Sequence, residues 1–175
     1  MTDKTQYGNM LSVGTVLHGT FRIDRYLASG GFGNTYLATN VNFGETYAIK
    51  EFFMKGVNQR NGDSVTVSVS NSDNLHTFES QKKKIKKEAQ RLHSLHNPHI
   101  VHVHYLFEEN GTIYYVMDYI DGISLRDKMK QCGHPLPEKG SVAKVRGCLR
   151  GWANQIYCTS GIRRKEDQPL LSSVI

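Results

Sequence analysis

Cysteine is scarce in this chain of 175 residues: Cys132, Cys148 and Cys158 are all it has, odd in number and with no C-x-x-C spacing. A disulfide framework is therefore excluded as an organising device, and a reducing compartment, the cytoplasm, is expected. Long apolar runs are missing too. No segment approaches the ~20 residues of a membrane span, and the first twenty residues carry no apolar block of signal-peptide length, so no membrane partner is expected. No internal repeat is visible. Strong charge of one sign is confined to one end. The net charge is +6, but residues 1–139 hold 16 Lys/Arg against 14 Asp/Glu, and residues 140–175 hold 6 against 2. The nearly neutral larger part argues against nucleic acid as the partner. The remaining composition is that of an ordinary globular protein, long enough for one good core.

What is present begins with glycine. Leu27-Ala28-Ser29-Gly30-Gly31-Phe32-Gly33-Asn34-Thr35 places three glycines in four positions between two strand-like runs, Phe21 to Leu27 and Thr35 to Thr39. Such a loop lets the backbone approach another surface and present its N–H groups. A third strand, Glu45 to Phe52, ends Tyr47-Ala48-Ile49-Lys50. Strand side chains alternate, so Ala48 and Lys50 share a face. The small residue leaves room for a flat ring, and the ammonium one step further suits a phosphate tail.

Met1 to Thr20 reads as a polar N-terminal arm. Residues 54–77 hold the turn signal Asn61-Gly62-Asp63 and alternating valines, which favours a small extra hairpin over a mobile loop. From about Thr77 the period becomes helical: Phe78, Ile85, Ala89, Leu92 and Leu95 form one stripe, and a helix is expected around 78–96. Lys82, Lys83, Lys84, Lys86 and Lys87 crowd the other positions. They read as a solvated face, the competing reading being a nucleic-acid patch with steep salt dependence. Glu88 lies about 60° around the helix from Ile85, near the buried edge, where a carboxylate wants a cation; Lys50 is the obvious one. Pro98 ends the helix. His99 to Phe107 and Thr112 to Tyr119 then flank an Asn110-Gly111 turn, a strong hairpin signal. The expected fold is α+β: a five-stranded antiparallel sheet with one principal helix between strands three and four. His93, His96, His99, His102 and His104 fall within twelve residues, but on different elements and with no cysteine joining them, so no metal site is expected.

With these residues in this order, Phe21 to Met129 resembles the N-terminal lobe of a protein kinase, in tone the bacterial serine/threonine kinases of the eukaryotic type. The family's G-x-G-x-x-G-x-V and V-A-I-K stand here as A-S-G-G-F-G-N-T and Y-A-I-K, and its H-P-N-I-V as H-N-P-H-I-V. Ala28 replaces the first glycine and Thr35 the valine; neither removes nucleotide binding. The resemblance implies ATP as cofactor, held by Leu27 through Thr35, Ala48 and Lys50, with Glu88 orienting Lys50. It makes Met117 the gatekeeper and has the backbone of Asp118 and Ile120 hydrogen-bond adenine. It also implies a protein substrate or partner. The domains it suggests are an arm (1–20), an ATP-binding lobe (21–120), a hinge and the start of a helical lobe (121–139), and an off-family tail (140–175).

The tail departs from that pattern. Ser124 is a reasonable cap for a helix, and Pro135-Leu136-Pro137-Glu138-Lys139 resembles the approach to the family's first long C-lobe helix. Beyond Gly140 neither the H-R-D-x-x-x-x-N segment nor D-F-G occurs, so the family's magnesium ligands and catalytic base are absent from the chain. Val142, Val145, Leu149, Trp152 and Ile156 fit one helical face, weakened by Gly147 and Gly151. The abrupt change after Lys139 leads us to expect a shifted reading frame. Bases that encode Gly140-Ser141-Val142-Ala143-Lys144-Val145 can, one position on, encode Glu-Ala-Trp-Arg-Lys-Tyr. Such a chain binds ATP and transfers nothing by itself. The alternative is a non-enzymatic interaction or regulatory module on the same lobe.

Overall fold

The strands follow from simple alternation. In β2 (Phe21–Gly30), Phe21 and Ile23 are buried while Arg22 and Arg25 face water. In β3 (Gly33–Asn40), Asn34, Tyr36, Ala38 and Asn40 are buried and Thr35, Leu37 and Thr39 between them half-buried. The computed structural model describes residues 9–63, 65–97, 100–123 and 162–163. They fall in two units: one comprises Met1–Leu95 with His102–Tyr119, the other His96–Val101 with Ile120–Ile175.

The first unit is built on a six-stranded sheet. β1 (Val16–Leu17), β2, β3, β4 (Thr46–Phe52), β8 (Thr112–Asp118) and β7 (Val103–Glu109) lie side by side in that order, every pair antiparallel. Asn110 and Gly111, both at positive φ, form the tip of the β7–β8 hairpin. Five of these strands are the expected ones. The sixth, β1, comes from the stretch read as a polar arm. Its two residues pair with Phe21 and Arg22 after a turn in which His18 and Gly19 both take positive φ. Strand β7 begins at Val103 rather than His99; before it the Ile100 N–H donates to the Asn97 carbonyl at 3.0 Å. The hairpin expected within 54–77 is present as β5 (Asn58–Arg60) and β6 (Val67–Val69).

Helix α1 runs Leu75–Ser94, starting three residues before the expected 78 and ending two before 96. It grows out of a 3-10 turn, Ser72–Asn74, capped by the Asn71 side chain, which accepts from the Asn74 amide at 3.0 Å. Its buried residues are Phe78 and Ala89, with Ile85 and Leu92 partly covered. Of the lysine row, Lys82 and Lys86 reach across to Glu108 on β7 at 3.0 and 2.9 Å, while Lys83, Lys84 and Lys87 are exposed.

The sheet is covered on both faces. On one, α1 packs over Phe52, Ile113 and Tyr115. On the other, Tyr36, Ala38, Ile49, Tyr114 and Val116 form a second core with Leu11, Leu17, Phe21 and Ile23. Each fully buried aliphatic or aromatic side chain contributes about 1.5–3 kcal/mol, so Leu11 and Leu17 make the supposed arm part of the fold. In the second unit, β9 (Gly122–Ile123) pairs antiparallel with β10 (Ile162–Arg163). The expected helices at 124–130 and 142–156 lie outside the described residues.

Candidate nucleotide site

Antiparallel register decides which side chains meet. Thr35 stands opposite Lys50, and Lys50 opposite Tyr115, so the three form one cross-strand row. Two residues along, Leu37, Ala48 and Met117 form the next row on the same face. The sheet thus sets an apolar floor of three side chains beside a single cation. The Lys50 ammonium lies 5.6 Å from the centroid of the Tyr115 ring. Burial pushes the Lys50 pKa down, and the negative charge of Glu88 partly opposes that shift. Among the described residues no ion pair within 4.0 Å joins Lys50 and Glu88, so their attraction acts at longer range.

The glycine loop closes the β2–β3 hairpin with Gly31-Phe32 between paired Gly30 and Gly33. Ala28, Ser29, Gly30, Gly31 and Phe32 are exposed. Leu27 is the extra residue of a bulge, since Tyr26 faces Tyr36 and Ala28 faces Thr35. Gly30 and Gly31 have open space where a side chain would stand, whereas a Cβ on Gly33 would sit on the Glu51 carbonyl oxygen. Two of the glycines leave the loop bare, and the third lets β3 lie against β4. The Lys55 ammonium holds the Ser29 hydroxyl at 3.3 Å.

Asn34 turns the other way. Its amide donates to the Asn9 carbonyl at 2.9 Å and to Glu51 Oε2 at 3.2 Å, on the face opposite Lys50. Any contact Asn34 makes with a ligand therefore runs through its backbone. Asp118 gives its N–H to the His102 carbonyl at 3.1 Å, so its backbone can meet a base only through its own carbonyl. Ile120 belongs to the second unit.

Sequence reasoning missed what lies behind the site. Glu51, next to Lys50 on β4, is wholly buried and accepts five hydrogen bonds from four residues: Arg60 Nη2 at 2.6 Å, the Tyr36 hydroxyl at 2.9 Å, the Tyr114 hydroxyl at 3.1 Å and Asn34, with Arg60 also reaching its other oxygen at 2.8 Å. Arg60 in turn donates to the carbonyls of Val65 and Asn9. Burial and the Glu51 charge raise the pKa of Tyr36 and Tyr114 far above that of an ordinary phenol. The one available signal was an acid placed directly before the apolar pair Phe52-Phe53 on a strand.

A family description, protein kinase domain, matches residues 21–158. The chain belongs to the protein kinase domain family. The matched span continues past Lys139, where the recognisable motifs stop. Among curated kinases, the probable serine/threonine-protein kinase pknA2 of Bifidobacterium longum is 31% identical over 121 residues, covering 67% of this chain and 14% of that protein. PknD of Mycobacterium tuberculosis is 33% identical over 128 residues, covering 73% and 16%. The chain thus spans less than a fifth of either relative's length. Among solved structures, PpkA-294 in its apo form aligns with a TM-score of 0.67 at 29% identity, over 70% of this chain and 43% of that one. The Mycobacterium tuberculosis PknI kinase domain aligns at 0.60 and 22% identity, over 81% and 49%, a likeness of fold. These relatives are of the serine/threonine type.

Proposed function

We propose that this kinase-family chain is an ATP-binding lobe. The glycine-loop amides and Lys50 hold the phosphates, Glu88 keeps Lys50 in place, and adenine lies over Leu37, Ala48 and Met117 within reach of the Asp118 carbonyl. The observation that carries this reading is the pair of cross-strand rows, which puts one partly desolvated cation beside an apolar floor and a bare glycine hairpin. A partly buried ammonium with a lowered pKa and open space at Gly30 and Gly31 fit a triphosphate. Magnesium is different: among the described residues no group of three or more His, Cys, Asp or Glu is arranged to hold a metal, and the family's metal-binding motifs are missing from the chain.

Transfer needs the acceptor and the γ-phosphoryl group to be held together, which one lobe cannot do. We infer that this polypeptide alone binds ATP without phosphorylating a protein, in the cytoplasm and away from nucleic acid. Nucleotide affinity for wild type against Lys50→Ala and Glu88→Ala tests the site: wild type should bind most tightly, and equal, negligible binding by all three would favour a non-enzymatic docking module. Phosphorylation of a generic protein substrate by the purified chain with ATP and magnesium would overturn the second claim. An H-x-D-x-K-x-x-N segment in another frame of the DNA downstream of Lys139 would support it.

A further inference from the structure

From Ala28 to Asn34 the β2–β3 hairpin gives the rest of the protein little to hold. Of these residues only Gly33 and Asn34 are buried, and Gly33 has no side chain. The β2 arm adds weak support. From Asp24 to Gly30 its sole partner strand among the described residues is β3, and its register slips between Ile23 and Arg25 and again between Tyr26 and Ala28. Each slip interrupts the ladder. The tip has two tethers of its own, from the Phe53 N–H to the Phe32 carbonyl and from the Lys55 ammonium to the Ser29 hydroxyl, both long at 3.3 Å.

Asn34 is the last anchored side chain before the bare loop. It is 2% exposed, and its amide nitrogen donates to the Asn9 carbonyl at 2.9 Å and to Glu51 Oε2 at 3.2 Å. Carbonyl and carboxylate oxygens only accept, so this amide has one orientation. Glu51 meets the hairpin a second time, since its carbonyl oxygen fills the space where a Cβ on Gly33 would stand. Arg60, Tyr36 and Tyr114 hold the Glu51 carboxylate in its turn. One peptide bond away is Lys50, whose side chain takes the opposite face. The base of the glycine loop and the phosphate-side cation are thus both referred to a single fixed residue.

Resting on the nucleotide reading above, we propose that Asn34 is a positioning residue: its side-chain amide ties the glycine loop to Glu51 and Asn9, and so sets the spacing between the loop amides and the Lys50 ammonium across which phosphates are held. Asn34 does this from the far face of the sheet, without its side chain touching the ligand. Two groups that grip one polyanion bind it more tightly when their spacing is fixed beforehand, because less ordering is left to the binding step. The floor assigned to the base, Leu37, Ala48 and Met117, lies two residues further along the strands from the Lys50 row. The two halves of a nucleotide therefore report on Asn34 differently.

The test takes the whole chain and two probes, inorganic tripolyphosphate for the phosphate half and adenosine for the base half. Binding is measured at a temperature where circular dichroism shows each variant folded. Asn34→Ala should weaken tripolyphosphate binding about five- to tenfold, the ladder and the tip tethers remaining, and leave adenosine within about twofold. Tyr36→Phe is the control. It removes another hydrogen bond to the same Glu51 oxygen, and the acceptor of the Leu11 amide, from the middle of the sheet. Its melting midpoint should fall at least as far as that of Asn34→Ala, with neither affinity moving beyond about twofold. Asn34→Ser, whose hydroxyl offers one donor, should show the same split to a smaller degree, and carries the comparison if the alanine variant does not fold. An equal loss of both ligands in the Asn34 variants, no loss of either, or the same split in Tyr36→Phe would mean that the cage only stabilises the sheet. Each of these overturns the role of Asn34 and leaves the nucleotide site standing. If wild type binds neither tripolyphosphate, adenosine nor ATP, both readings fall.

Discussion

Lys50 and Glu51 are neighbours with opposite assignments. Lys50 is a cation whose burial disfavours its own charge, which is useful to a polyanion and costly without one. Lys50→Met should abolish ATP binding yet stabilise the ligand-free chain by about 0.5–2 kcal/mol, measured by urea denaturation. The pH dependence has a definite sign. Because the folded pKa is depressed, the unfolded chain binds more protons between that value and the ordinary lysine value of about 10.4, so the Lys50 penalty is fully present below the folded pKa and fades as pH rises through this window. Lys50→Met should remove that part of the pH profile. Glu51 is the reverse case, a carboxylate whose every neighbour is a donor. Removing one member of the buried pair, by Glu51→Ala or Arg60→Ala, should cost about 3–5 kcal/mol, and the double variant should cost less than the two single losses together, because each single change strands a charge.

The loop and its flanking strands divide their glycines by purpose. Gly33→Ala would push a methyl group into the Glu51 carbonyl, and neither strand can yield cheaply. We expect a loss of about 1–3 kcal/mol by thermal or urea unfolding. Gly31→Ala meets nothing within the protein, so its melting midpoint should hold while ATP affinity falls. The elements that were legible in the sequence are those whose signal is local. The stripe of Phe78, Ile85, Ala89 and Leu92 announced α1, and Asn110-Gly111 announced the β7–β8 turn. Strand β1 has two residues and no period to detect. Arg60 gives no local signal because its partner Glu51 lies on another strand, and the irregularity at His104 exists only in the register between β7 and β8. The rows through Lys50 and Ala48 follow from alternation, but the facing of the Asn34 side chain away from Lys50 needed its bonds to Asn9 and Glu51.

Across the first unit, the two faces of one sheet carry different duties. The α1 side presents the row of Thr35, Lys50 and Tyr115. The other side is closed by residues that precede the matched kinase span: Leu11 and Leu17 sit in the core, the Leu11 amide donates to the Tyr36 hydroxyl at 3.1 Å, and the Asn9 carbonyl receives both Asn34 and Arg60. A domain boundary taken from family likeness would fall at Phe21. That boundary is the wrong place to cut. A fragment starting at Phe21 would open the Glu51–Arg60 cage to water and bare the apolar surface that Leu11 and Leu17 cover, so it should be recovered aggregated or melt well below a fragment starting at Asn9. Limited proteolysis should agree, with cleavage between Asn9 and Thr20 proceeding only as fast as the whole sheet unfolds. Anyone trimming the protein for crystals or for binding assays has to count its first strand from Val16.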